Sequence, residues 1–193
     1  QSGEGYDVFK CDQSSIADLI RVAERLHDCS FRLVLDDGSH IPEHQITTFN
    51  IIFSSLLEEG GSYIIEDIET SYWRYYDCYG YKTCYGLGSS RSLIEAFKLV
   101  VDFVNREFLA PRERSRLERR LGHLGFDLDV LSTVASVTYG QNCICLTKAQ
   151  ELDRVFSDRK YRFDRNVSPS FFRYCSDRMP APFRVFIRSF LGM

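Results

Sequence analysis

The chain has 193 residues, 44% of them hydrophobic and 26% charged, with a formal net charge of −3. That length suits one domain with a substantial core and is short for two. The acidic balance gives no reason to expect nucleic acid as a partner, and no apolar run approaches the roughly 18 residues needed for a transmembrane segment.

The first residues, QSGEGYDVFK, lack a basic segment followed by an apolar one, so they are not a secretory signal. They also lack an initiator Met, and the sequence reads as starting inside a longer protein. The seven cysteines are odd in number and scattered, with no C-x-x-C pair. That usage predicts reduced, structural thiols in a cytoplasmic protein rather than a disulfide framework or a zinc site.

Asp7–Cys11 reads as a short strand. Ile16, Leu19, Ile20, Ala23 and Leu26 then recur at helical spacing, predicting an amphipathic helix over about Ser15–His27. Phe31–Leu35 is a mostly apolar run suited to a strand covered on both faces. Pro42 fits the first turn of a second helix, whose buried stripe would be Ile46, Phe49, Phe53, Leu56 and Leu57, with Gly60-Gly61 as its stop. Ser62–Glu66 is the next strand. Strand, helix, strand, helix, strand at this spacing implies an α/β fold with a parallel sheet and right-handed crossovers.

Thr70–Ser90 is a Tyr- and Gly-rich stretch, longer than most connections in a compact domain. Leu93, Ala96, Phe97, Val100, Val101 and Val104 mark a long helix, and Glu113–Arg120 a charged helical stretch with a solvated face. Leu131–Tyr139 and Cys143–Lys148 flank Gly140-Gln141-Asn142 and predict a β-hairpin. The tail, 151–193, holds nine Lys/Arg against five Asp/Glu. It reads as a basic C-terminal extension, helical or irregular.

The chemistry concentrates in VLDDGSHIPEHQ, Val34–Gln45. In an open parallel sheet, ligands bind beyond the carboxyl ends of the strands. There the first of two successive strands delivers Asp36, Asp37 and His40, and the second delivers Glu66 and Asp67, with Glu69 just beyond. Carboxylates brought so close repel one another unless one is protonated or a cation is supplied. A hard, oxygen-seeking ion such as Mg2+ answers that need, since no cysteine joins the cluster. His40 can overlook the ion and take a proton from a substrate hydroxyl, whose acidity a metal raises. A helix cap would account for DDGSH alone; it would not account for EDIE at the end of the next strand.

DDGSHIPEHQITTF, LLEEGGSYIIEDIETSYW and VASVTYGQNCICLTK resemble segments of the macrocin O-methyltransferase family, Mg2+-dependent class I enzymes that use S-adenosylmethionine to methylate sugar hydroxyls. The resemblance covers roughly Val8–Lys148. It implies a Rossmann-like sheet, mostly parallel with a C-terminal antiparallel β-hairpin. It also implies Asp37, Glu66 and Asp67 as metal ligands and His40 as the general base. Asp36 would hold the methionine end of S-adenosylmethionine or support the metal. KCDQSS resembles the family's turn near the adenine, which makes Asp12 and Gln13 cofactor contacts, although Cys11 replaces the usual glycine and Ser15 the usual final aspartate. Tyr72 and Trp73 would border the pocket of a small hydroxylated acceptor.

One departure stands out. The acidic Gly-rich turn after a first strand, and the acidic residue ending a second, are not found before Asp7. Residues 1–150 are therefore expected to be a partial class I methyltransferase domain, strands three to seven, with the first two strands missing. The expected function is sugar O-methylation with S-adenosylmethionine and Mg2+. The alternatives are a cephalosporin hydroxylase-like enzyme, which shares the DDGSH-type turn, and a truncated, non-catalytic binding module. A homo-oligomer is compatible with the sequence.

Overall fold

The computed structural model describes residues 6–78 and 81–150; the basic tail lies outside the described residues. Four strands form a mixed sheet in the order β1-β2-β6-β5. They are β1 (Phe31–Asp36), β2 (Leu57–Glu66), β5 (Val134–Gly140) and β6 (Cys143–Lys148). β1 and β2 are parallel, while β6 runs antiparallel to both β2 and β5. The sheet is thus mixed rather than mostly parallel. One reason is that Asp7–Cys11, expected as a strand, is irregular and mostly exposed and pairs with none of the described strands.

Helix α1 (Ile16–Arg25) starts where the Ser15 side chain accepts the Asp18 backbone N–H, filling a donor that the first turn leaves open. Only Leu19 and Ala23 of its apolar stripe are buried, and Ile16 and Ile20 stay exposed. Helix α2 (Pro42–Thr48) opens on Pro42 and passes into a π-helical turn at Phe49–Phe53. The extra residue of such a turn re-aims the side chains that follow. Leu57 then already belongs to β2, so Gly60-Gly61 does not stop a helix. Gly60, at φ +74°, sits in a bulge: the step from Phe31 to Leu33 on β1 matches the longer span from Leu57 to Ser62 on β2. A positive φ is what a glycine supplies at low steric cost.

The predicted long connection after β2 carries structure of its own. A 3-10 turn (Ile68–Tyr72) leads into a two-stranded sheet of β3 (Arg74–Cys78) and β4 (Tyr81–Cys84). Helix α3 (Leu93–Val104) follows, capped by Ser92. Then come α4 (Pro111–His123) and the short α5 (Leu128–Leu131).

The core fills one face of the sheet. Phe49 is its hub, its ring 4.7 Å from Phe53 and 5.6 Å from both Tyr63 and Phe97. Tyr63, Ile65, Ile144 and Leu146 come from the strands, and Leu93, Phe97, Val100 and Leu121 from the helices. Each such burial contributes on the order of 1.5–3 kcal/mol. Phe31, Leu33 and Leu35 lie on β1, an edge strand, and remain exposed. No helix among the described residues is long and apolar enough to cross a membrane.

Candidate functional site

The β1–β2 register pairs Asp36 with Ile65, so the two acidic strand ends emerge side by side. Asp36 points to the core face and is buried. Its Oδ1 accepts Gln13 Nε2 at 2.7 Å and its Oδ2 accepts the Tyr63 hydroxyl at 3.1 Å. Burial pushes the Asp36 carboxyl above the usual carboxylate range. The hydrogen bonds from Gln13, Tyr63 and the Gly38 amide, and the charge of His40, pull against that shift. The other end of the Gln13 amide accepts the Ser39 backbone N–H at 2.6 Å. A Cβ on Gly38 would collide with this amide. The glycine of DDGSH is therefore needed for close approach, and Gln13 staples the turn to Asp36.

Past this staple the chain delivers Asp37 and His40. His40 sits at φ +53° and Asp67, at the end of β2, at φ +50°. Left-handed backbone at non-glycine residues costs roughly 1–2 kcal/mol each, and it persists only where neighbours hold it. Here the buried Thr70 donates its hydroxyl to the His40 carbonyl at 2.9 Å, and Gln45 Nε2 donates to the Glu66 carbonyl at 3.3 Å.

These turns bring Asp37, His40 and Asp67 together. His40 Nε2 lies 3.9 Å from Asp37 Oδ1 and 3.9 Å from Asp67 Oδ2, and one ligand atom from each residue falls within 4.8 Å of the others. Those separations are too long for hydrogen bonds. The two 3.9 Å separations fall within the ~4.2 Å that opposite ligands of one Mg2+ at ~2.1 Å can reach, while the 4.8 Å limit on the group lies slightly beyond it. The two carboxylates, with no thiolate near, suit a hard divalent cation, and the imidazole stands beside them. The His40 side chain is mostly covered, while Asp37 and Asp67 are about half exposed, so the group opens to solvent on the carboxylate side.

The other predicted residues are placed differently. Glu66 is outside the three-residue group; on β2 it alternates with the buried Ile65, which faces the core. Asp12 is exposed, and its Oδ1 accepts the Ser14 amide at 2.9 Å and the Ser14 hydroxyl at 2.7 Å. Those bonds hold its carboxyl below the usual range. Gln13 and Asp36 are joined to each other. Tyr72 is exposed and Trp73 half-buried, at the end of the 3-10 turn. His44 shares a hydrogen bond of 2.9 Å with the Ser39 hydroxyl. Sequence reasoning missed Asn142, whose side chain reaches Asp67 from the β5–β6 turn; GQN signals a hairpin turn and nothing about its neighbour in space.

No family model matches the chain. Over 62 residues it is 44% identical to the 8-demethyl-8-alpha-L-rhamnosyl tetracenomycin-C 2'-O-methyltransferase of Streptomyces olivaceus, a stretch that is 32% of this chain and 16% of that protein. Over 94 residues it is 37% identical to the mycinamicin VI 2''-O-methyltransferase of Micromonospora griseorubida, covering 45% of this chain and 22% of the relative. The demethylmacrocin O-methyltransferase of Streptomyces fradiae shares 51% identity over 43 residues, 22% of this chain and 11% of that one. The matched stretches thus span less than a quarter of these relatives. Among solved structures, the MycE methyltransferase from the mycinamycin biosynthetic pathway, in complex with Mg, SAH and mycinamycin VI, superposes with a TM-score of 0.55 at 22% identity. That match covers 77% of this chain and 32% of the other, and establishes likeness of fold.

Proposed function

The chain is homologous, over part of its length, to macrocin- and mycinamicin-type sugar O-methyltransferases, and from that premise we propose that it carries the metal-binding and acceptor-activating part of such an enzyme. The acceptor would be a hydroxyl of a sugar or glycosylated small molecule, and the methyl donor S-adenosylmethionine. The observation that carries this reading is the convergence of Asp37, His40 and Asp67 at one sheet edge.

Asp37 and Asp67 would hold Mg2+, with Glu66 as a further ligand from the end of β2. The ion, when bound, supplies the positive charge that makes an alcohol proton easier to remove. His40 takes that proton: its imidazole is held by a backbone that Thr70 fixes through the His40 carbonyl, and a positioned imidazole can act as general base. The sulfonium of S-adenosylmethionine already activates the methyl group, so the protein's remaining task is alignment of the hydroxyl oxygen. Asp12 stays available as a cofactor contact. Gln13 and Asp36 would act mainly by setting the turn that carries Asp37. Tyr72 and Trp73 would border the acceptor.

β1 is the end strand of the four-stranded sheet, which leaves an edge where the strands expected to carry most of the cofactor pocket would pair. Residues 1–150 would then be the distal part of a class I methyltransferase domain and 151–193 an extension of it.

Calorimetric titration with Mg2+ should show a site that Asp37→Asn removes. Mass spectrometry of a glycosylated macrolide incubated with S-adenosylmethionine and a longer protein that supplies the remaining cofactor-pocket strands should show the gain of a methyl group, lost in His40→Ala. A gain of oxygen, as in a cephalosporin hydroxylase-like reaction, or turnover retained in both variants, would overturn the proposal.

A further inference from the structure

Asn142 closes the turn between β5 and β6 at φ +57°, a conformation in which asparagine is among the few tolerated non-glycine residues. A hairpin turn alone needs nothing more from it. Yet its side chain is used twice, and both times on the chain leaving β2. Its Nδ2 donates to Asp67 Oδ1 at 2.8 Å, and its Oδ1 accepts the Glu69 backbone N–H at 3.0 Å. The sheet brings the two turns together, because Glu66 is paired with Cys143 in the β2–β6 ladder.

The two oxygens of Asp67 are thereby divided. Oδ1 is taken by Asn142, and Oδ2 is the one that faces His40 Nε2 at 3.9 Å. Asp67 itself has left-handed backbone, and the acceptor on the Glu69 amide pins the chain two residues further on. The amide of Asn142 therefore holds both the carboxylate and the backbone that aims it.

We propose that Asn142 is a positioning residue for the metal site: it orients Asp67 so that one carboxylate oxygen is presented to the cation shared with Asp37. The proposal rests on the reading of Asp37, His40 and Asp67 as a metal group. An uncharged donor is well suited to the task, since a lysine in its place would compete with the cation for the same carboxylate.

Mn2+ binding, followed by the electron paramagnetic resonance signal of the free ion, tests this without any demand on turnover. Asn142→Gly keeps the left-handed turn and removes both side-chain bonds. It is expected to weaken Mn2+ binding about tenfold, the low end for loss of a partner that orients a ligand, and to raise hydrogen exchange at the Glu69 amide. Gln141→Gly loosens the same exposed turn without touching Asp67 and is expected to bind Mn2+ as the parent does. The proposal is overturned if Asn142→Gly binds like the parent, or if Gln141→Gly loses as much. Should Asp37→Asn abolish binding while Asn142→Gly does not alter it, only the role of Asn142 falls. Should the parent not take up Mn2+ at all, the metal reading falls with it.

Discussion

Tyr63 donates its hydroxyl to Asp36 across the parallel β1–β2 pair at 3.1 Å, both side chains lying on the core face of the sheet. The bond joins the aromatic core to the turn that carries Asp37 and His40. Tyr63 is fully buried, and burial together with the Asp36 charge raises its pKa well above the usual phenol value. It stays a donor throughout the working range.

Asp36 should make stability depend on pH when metal is chelated. Its folded-state pKa is raised, chiefly by burial, whereas in the unfolded chain it is an ordinary carboxyl near ~3.9. Between those values the folded state binds more protons than the unfolded state, so stability falls as pH rises through the window and stays lower above it. Asp36→Asn cannot ionise and keeps the shape of the group. In EDTA its unfolding midpoint should equal or exceed that of the parent at neutral pH, and the advantage should vanish below the unfolded pKa. A variant less stable at neutral pH would mean that the hydrogen bonds favour the charge by more than burial opposes it.

Removing the donor acts in the opposite direction. Tyr63→Phe leaves Asp36 Oδ2 without its buried partner, a loss of about 1–3 kcal/mol. Denaturant titration should show this loss to be larger above the raised pKa of Asp36, where its carboxylate is charged, than below it.

The Gly38–Gln13 contact yields a prediction with its own control. Gly38→Ala places a methyl group against the Gln13 amide, so the staple must shift and the turn with it. About 1–3 kcal/mol of stability should be lost, together with Mg2+ affinity. Gln13→Ala removes the obstructing atoms. The double variant should therefore be more stable than the two single losses would sum to, and additive losses would place the contact elsewhere.

Much of this geometry was legible in the sequence, and what was not has physical reasons. DDGSH and EDIE could be placed at adjacent strand ends because apolar runs preceded them, and the Ser62–Glu66 strand and the Leu93–Val104 helix lie where their spacing puts them. Gly60-Gly61 was misleading: glycine serves a helix stop and a β-bulge equally well, and only the pairing with β1 distinguishes them. Asp7–Cys11 reads as a short strand from Val8 and Phe9, but such residues state a preference and the ladder needs a neighbour. The roles of Gln13 and Asn142 are set by partners 23 and 75 residues away, at separations no local pattern encodes.

The exposed side of β1 offers a last test. Phe31, Leu33 and Leu35 project on the side opposite Val34, which packs against the core, and Leu33 and Leu35 are more than half exposed. Alternation on a strand puts neighbouring residues on opposite faces. Leu35→Lys should therefore change the stability of the 193-residue chain by no more than about 0.5 kcal/mol. It should also lower self-association in light scattering, because a charge on an exposed apolar edge opposes strand-to-strand pairing. Val34→Lys buries an unpaired ammonium group and should prevent folding or cost several kcal/mol, on the order of 3 or more. If β1 pairs with further strands in a longer protein, Leu35→Lys should be costly there, while remaining mild in this chain. Equal effects in both settings would argue that this edge stays open.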